Sequence, residues 1–215
     1  LAHFSKDKNL IKAFKNGEDI HNFTAATMYE CGIEKVNSDM RRIAKILNFG
    51  VLYGLSPYGI SRQTNLTVKQ GKEFIDMYFN RFPSISDYIN KIKFEAKDLG
   101  YVETIFGRKR YIQEIHSNDK RIQAHGERMA VNMPIQGTAA EIIKLAMIKI
   151  SDQLNIENVD SNMLLQIHDE LIFESNKSDS KQLINILTNV MTNVVQLLVP
   201  LDINIEIGKN LGEMK

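Results

Sequence analysis

Met163-Leu-Leu-Gln-Ile167-His168-Asp169-Glu170-Leu-Ile-Phe173 decides the fold class. Two short runs of β-forming residues flank a charged centre, which is the pattern of strand, tight turn, strand. A two-residue turn at His168-Asp169 puts the neighbouring carboxylates of Asp169 and Glu170 at a hairpin tip. Clustered carboxylates suit Mg²⁺, which binds through one or two of them and fills its other positions with water and substrate phosphate. A polar hairpin turn is the commoner meaning of an isolated His-Asp-Glu.

Helices are expected on both sides of the hairpin. Upstream, a helix from about Asp119 should break at Asn132-Met-Pro134 and restart at Thr138, where Thr138 and Glu141 match a capping box. Downstream, a helix near Asp179 to Leu197 and a last strand, Leu201 to Ile207, close the chain. The first 120 residues read as helices: Ser5 caps one ending at Asn16-Gly17, and Asn37 or Ser38 caps a longer one running toward Gly54. Thr67 starts a third that ends at Pro83, and a fourth runs from Ser84 to Gly100. Tyr101 to Ile105, a turn at Gly107 and Arg110 to Ile112 form a second hairpin. The expected architecture is α+β, a helical lobe followed by a lobe with an antiparallel sheet and flanking helices.

Composition removes several classes. With 43% hydrophobic and 25% charged residues, the 215-residue chain is globular rather than disordered. Its longest apolar stretch, around 141–150, carries Lys144 and Lys149, so no membrane role is expected. The single cysteine, Cys31, cannot form an internal disulfide, and no Cys/His grouping has zinc-ligand spacing. A reducing compartment follows. The chain starts at Leu1 without a signal-peptide pattern and reads as a piece of something longer. From Glu157 onward nine acids face four lysines, a formal −5, so the first 156 residues carry +6 of the net +1. A basic body and an acidic end suit polyanion binding and cation binding respectively, although solvated helix faces would give the same counts.

The second informative stretch is Arg41-Arg-Ile-Ala-Lys45-Ile-Leu-Asn-Phe49-Gly-Val-Leu-Tyr53-Gly54. At about 100° per residue, Ile43, Ile46, Leu47 and Val51 gather on one side with Gly50 and Gly54. Arg41, Lys45, Phe49 and Tyr53 make a drifting stripe on the other, roughly 18 Å long at ~1.5 Å per residue. Cations in line with open rings suit a nucleotide, whose phosphates pair with the cations while its sugar and base lie on the rings. A helix buried on both sides would instead make Phe49 and Tyr53 plain core.

Arg41-x3-Lys45-x3-Phe49-x3-Tyr53-Gly54 resembles motif B of the family A DNA polymerases, and Gln166-Ile-His-Asp-Glu170 resembles their motif C. Leu1-Ala-His3-Phe-Ser5, Asp19-Ile-His21, Tyr101-Val-Glu-Thr104, Gly107-Arg108, Glu127-Arg128, Asn132-x-Pro134-x-Gln136-Gly-Thr138 and Val199-Pro-Leu201 follow the family pattern in order, so the resemblance covers nearly the whole chain. It implies a palm-to-fingers connection at 1–20, fingers at 21–120 and a distal palm at 121–215 carrying the motif C hairpin. It also implies that His21, Arg41 and Lys45 hold the triphosphate of an incoming deoxynucleotide, with Lys45 acting on the leaving pyrophosphate. Phe49 would meet the sugar and Tyr53 the nascent base pair. Asp169 would bind the catalytic Mg²⁺ ions, two in a complete site, with Glu170 secondary. Arg128, Asn132, Gln136 and His168 would line the minor groove of primer-template DNA, testing acceptors that every correct pair presents. Arg108, Lys109, Arg110, Lys120 and Arg121 either meet DNA phosphates or are merely solvated.

Motif A, which carries the partner aspartate, is absent from these residues, as is the thumb. The expectation is the C-terminal part of a template-directed DNA polymerase of replication or repair, inactive alone and completed by the N-terminal part of the same protein. Its compartment would be the bacterial cytoplasm, at the nucleoid, or an organelle. The rivals are a non-catalytic DNA- or nucleotide-binding remnant and, less consistent with the ligand set, a metal-dependent nuclease.

Overall fold

The computed structural model describes residues 1–214, with the backbone alone of Val51 and Leu52. The expected apolar contact of Val51 therefore lies outside the described residues. The chain divides into two compact units, Leu1–Thr138 and Ala139–Lys215, and its class is α+β.

The first unit begins with α1 (Ala2–Ser5) and α2 (Lys8–Lys15). Ser5 does not cap the second of these. Asp7 does, accepting from the amides of Asn9 and Leu10 at 3.1 and 2.9 Å, because a carboxylate is a stronger acceptor for free helix amides than a hydroxyl. Next come α3 (Ile20–Tyr29), capped by Asp19, and α4 (Ser38–Leu52), capped by Asn37, whose Oδ1 accepts from the Met40 amide at 2.9 Å. A short α5 (Pro57–Gln63) leads to α6 (Val68–Arg81), which opens on a complete Thr67/Gln70 capping box. Pro83 sits at the start of α7 (Pro83–Leu99), where its missing N–H costs nothing, and Gly100 closes that helix at φ 76°. Strands β1 (Tyr101–Glu103) and β2 (Lys109–Tyr111) form the first hairpin.

Burial of large apolar side chains holds this unit. Tyr78, Phe82, Leu47, Ile60 and Ile85 are fully buried, and the rings of Tyr78 and Phe82 lie 5.0 Å apart. Ala96, Val102, Ile112, Ile115 and Ala130 make one core cluster, joining α7 and the hairpin to the helix that follows.

That helix, α8 (Lys120–Ile156), is continuous for 37 residues and contains Pro134. The expected break at Asn132-Met-Pro134 is absent, and so is the Thr138 capping box. An interior proline costs about 3 kcal/mol, but Ala130, Val131 and Pro134 are all buried here, and burial of about two aliphatic side chains offsets that cost. Thr138, a mid-helix residue, uses its Oγ1 to accept from the Ile105 amide at 3.2 Å. It thereby anchors the loop of the first hairpin.

The second unit contains the C-terminal part of α8, the strands β3 (Ser161–Ile167) and β4 (Glu170–Ser175), and α9 (Ser180–Thr192). β3 and β4 pair antiparallel with Ile167 opposite Glu170, and a bulge falls between Met163 and Leu165. Its core is Ala146, Ile150, Leu154, Val159, Leu183, Ile186, Leu187 and Val194, with Met163, Leu171, Phe173 and Leu201 packed against it. The expected strand at Leu201–Ile207 does not form. Exposure alternates from Leu201 to Glu206 as in a strand, yet this segment joins no ladder. β propensity favours an extended chain, but a strand needs a partner edge.

Candidate nucleotide and DNA site

Helix α4 resolves the main alternative left open by its sequence. Ala44 and Leu47 are fully buried, whereas Phe49 is 49% and Tyr53 53% exposed. Lys45 is exposed as well. The aromatics are therefore not core, and the stripe from Arg41 to Tyr53 is an open face carrying cations at one end and rings at the other.

Helix α3 packs beside α4 and brings His21 to this face. The His21 and Phe49 ring centroids are 5.6 Å apart. Asp19 caps α3 with one carboxylate oxygen, accepting from the His21 and Asn22 amides at 2.9 Å each, and takes the Arg41 guanidinium with the other at 2.8 Å. The Arg41 bond holds the Asp19 carboxyl below its usual pKa. Partial burial lowers the pKa of His21, with Arg41 and Lys45 adding to the shift and Asp19 opposing it. His21 thus favours the neutral imidazole beside two cations. A polyanion meeting this face would find one neutral donor ring and two positive charges.

Asn48, on α4, was not singled out by the sequence. Its side chain lies 3.1 Å from His21 Nδ1 and 3.0 Å from Thr24 Oγ1, and it accepts from the Tyr78 hydroxyl at 3.2 Å. An asparagine at the edge of the apolar helical face was the available signal, since a polar group half-buried there must find partners.

Tyr53 ends the stripe and opens a second feature. Gln136 of α8 donates to the Tyr53 hydroxyl at 3.1 Å. The two belong to the wall of an open cleft of about 300 Å³ that also includes Arg128, Asn132, Arg110 and His125. Three residues expected to line DNA, Arg128, Asn132 and Gln136, are thus gathered on one helix and in one cleft with Tyr53. Asn132 Oδ1 is buried there without a hydrogen-bond partner among the described residues. Gly54 fits between them for two reasons. Its φ of +65° is one that side chains resist, and a Cβ would stand 2.6 Å from Arg128 Cγ. Another hollow of about 290 Å³ lies along α4 between Lys45, Phe49, Tyr53, Arg42, Leu55 and Gln63.

His168, Asp169 and Glu170 lie in the other unit, at the tip of the β3–β4 hairpin, and all three are exposed. His168 takes the turn's left-handed conformation at φ 54°, and Gln166 Nε2 donates to its carbonyl at 2.8 Å. The carboxylates of Asp169 and Glu170 have no partner among the described residues. Hard oxygen donors open to solvent suit Mg²⁺ as part of a ligand set. Among the described residues, however, no group of three metal-capable side chains comes together.

Comparisons with known proteins give the family. The family model described as DNA polymerase family A matches residues 1–213. The chain is 48% identical over 176 residues to a protein named DNA polymerase I from Caldicellulosiruptor bescii, covering 81% of this chain and 21% of that one. It is 44% identical over 186 residues to "DNA polymerase I, thermostable" from Thermus aquaticus, covering 86% and 22%. A solved structure, the POL domain of Pol1 from M. smegmatis in complex with DNA primer-template and dNTP, superposes with a TM-score of 0.89 at 38% identity, covering 94% of this chain and 35% of that one. The chain spans about a fifth of the length of the curated relatives it matches. It belongs to DNA polymerase family A.

Proposed function

We propose that this chain forms the fingers and distal palm of a DNA-directed DNA polymerase, adding deoxynucleotides to a primer 3′-end in replication or repair at the bacterial nucleoid. The observation that carries this reading is the open stripe of α4, with cations, then rings, and His21 alongside. The names of the relatives, and the DNA primer-template and dNTP in the M. smegmatis structure, support it. In this reading 1–20 connects palm to fingers, 21–120 is the fingers and 121–215 the distal palm.

The reaction joins the primer 3′-oxygen to the α-phosphorus of a deoxynucleoside triphosphate. The bond from that phosphorus to the bridging oxygen breaks, pyrophosphate leaves, and the 3′-hydroxyl gives up its proton. Arg41 and His21 hold the phosphates through N–H donors, and Lys45 neutralises or protonates the leaving pyrophosphate. Phe49 supports the sugar and Tyr53 stacks beside the new base pair. Arg128, Asn132, Gln136 and His168 offer donors to the minor groove, where every Watson–Crick pair presents acceptors in similar places. Asp169, with Glu170 secondary, would hold Mg²⁺, which when bound offsets charge on the transferring phosphate and lowers the pKa of the attacking hydroxyl.

Two carboxylates on one hairpin do not make a two-metal site, so the chain alone binds nucleotide or DNA without extending a primer. Its partners are the rest of the polymerase, with motif A and the thumb, primer-template DNA and deoxynucleoside triphosphates. The test is primer extension with Mg²⁺ and all four deoxynucleotides, comparing the complete polymerase with this chain. Extension by the complete protein that Asp169→Ala abolishes, with binding only by the chain, is expected. Failure of the complete protein to extend would leave a binding remnant.

A further inference from the structure

The side chain of Asn48 ties three helices together, and the order of its hydrogen bonds runs in one direction. Thr24 Oγ1 has two acceptors in reach, the Ile20 carbonyl at 2.8 Å and Asn48 Oδ1 at 3.2 Å, and its single proton goes to the much shorter contact with Ile20. Thr24 Oγ1 must then act as acceptor toward Asn48, whose Nδ2 is 3.0 Å away. That places the amide nitrogen on the α3 side and leaves Oδ1 for the Tyr78 hydroxyl, which donates at 3.2 Å. Burial raises the Tyr78 pKa and keeps that hydroxyl protonated. The second proton of Asn48 Nδ2 then points at His21 Nδ1, 3.1 Å away, which must accept. An imidazole that accepts at Nδ1 carries its single proton at Nε2.

We infer that the relay Ile20 carbonyl–Thr24–Asn48–Tyr78 fixes His21 in the Nε2–H tautomer, so that a neutral ring presents one defined donor to the triphosphate of the incoming nucleotide. Asn48 and Tyr78 are positioning residues; His21 makes the contact. This rests on the reading of the α4 face as a triphosphate site. The ring bears on its partner through direction rather than charge. Arg41 and Lys45 already supply the positive field, and a third cation would work against them. Nε2 has no hydrogen-bond partner among the described residues. The charged and titratable groups facing the ring are Asp19 at the start of α3, Arg41 and Lys45 on α4, and Tyr78 of α6 through Asn48.

Asn48→Asp tests the relay because it keeps shape and size while replacing the donor with an acceptor. A carboxylate at Nδ1 should pull the proton to that nitrogen and stabilise the imidazolium. Long-range ¹H–¹⁵N spectra of the histidine-labelled chain, with His21 assigned by its loss in His21→Gln, read the tautomer directly. The wild type should show Nε2–H across pH 7–9. Asn48→Asp should show Nδ1–H at the upper end and titrate at least one pH unit higher than the wild type. Tyr78→Phe, which keeps the ring and removes only the donor to Oδ1, should leave a mixture of tautomers. An Asn48→Asp chain with wild-type circular dichroism and an unaltered His21 tautomer would overturn the inference.

Titration with dATP separates the two readings. It should shift the His21 Nε2 resonance of the wild type at all these pH values. In Asn48→Asp the shift should shrink as pH rises through the new His21 pKa, where Nε2 becomes an acceptor. A wild-type tautomer as expected with no dATP shift would sink the triphosphate reading, and with it the use proposed for the relay.

Discussion

The α4 face and the β3–β4 tip are both open to solvent, yet they are built in opposite ways. Around the α4 stripe, side chains are tied to one another within their own unit: Asp19 bonds Arg41, Asn48 bonds His21, Thr24 and Tyr78, and Gln136 bonds Tyr53. At the hairpin tip, Asp169 and Glu170 have none among the described residues, and the β3 residues Leu164, Leu165 and Ile167 are exposed. The first region is organised by contacts within the chain. In the proposed reading the second supplies charge to a site that the rest of the polymerase completes. A residue's removal should therefore disturb structure and function together in one region and function alone in the other.

The largest expected effect breaks that comparison most directly. In the complete polymerase, Asp169→Ala should lower the extension rate by on the order of 10³-fold or more, the cost of several kcal/mol of lost charge stabilisation. The same substitution should leave the urea midpoint of this chain within the equivalent of about 0.5 kcal/mol, as expected for an exposed, unpaired side chain. A marked fall in stability would mean that the tip has structural partners after all. Lys45→Ala ranks next. Removing a group that protonates or neutralises a leaving oxygen should slow extension by about 10²-fold. Primer-template affinity, measured by fluorescence anisotropy, should stay within twofold. If affinity fell while the rate per bound complex held, Lys45 would be a DNA contact instead.

Gly54→Ala probes the organised side. The substitution meets a positive φ and the Arg128 stem at once, and the left-handed conformation alone costs a residue with a Cβ about 1–2 kcal/mol. Arg128 should also leave its place in the cleft. A urea titration should show a loss of about 2 kcal/mol, and the variant should bind primer-template DNA more weakly. No change in either would argue that the Tyr53–Gly54 turn relaxes freely.

What was legible in the sequence follows the same division. The hairpin could be read because two β runs with a charged turn have few other solutions, and the stripe because helical spacing separates apolar from cationic positions. The relay through Asn48 was hidden, since an asparagine among Ile46, Leu47 and Phe49 signals only that some partner exists, and Thr24 and Tyr78 lie 24 and 30 residues away. The continuity of α8 through Pro134 was hidden for a different reason. Local chemistry argued for a break, while burial of Ala130, Val131 and Pro134, a tertiary fact, decided against it. The segment 201–207 shows the converse, because its alternation is real but pairing requires a neighbour that pattern alone does not supply.

The smallest effect sharpens the comparison by separating a cap from an ion pair. Asp19 does both jobs, one oxygen on the amides of His21 and Asn22 and the other on Arg41. Asp19→Asn keeps an acceptor for the cap and discards the charge, so it isolates the Arg41 contact. Both side chains are about 40% exposed, and solvent screening limits the pair to under about 1 kcal/mol. The pH dependence has a definite sign. The folded Asp19 pKa lies below its unfolded value, chiefly because Arg41 bonds the carboxylate. The contribution is therefore complete above the unfolded value, near 3.9 for an aspartate. It is lost as pH falls from there through the lower folded pKa. Urea midpoints of wild type and Asp19→Asn should differ by a few tenths of a kcal/mol at pH 6 and converge at the acid end, and salt should narrow the gap at pH 6. A gap of 2 kcal/mol or more, insensitive to salt, would mean that the pair is far better shielded than its exposure implies. Asp19→Ala, which also removes the cap, should cost about 1 kcal/mol more.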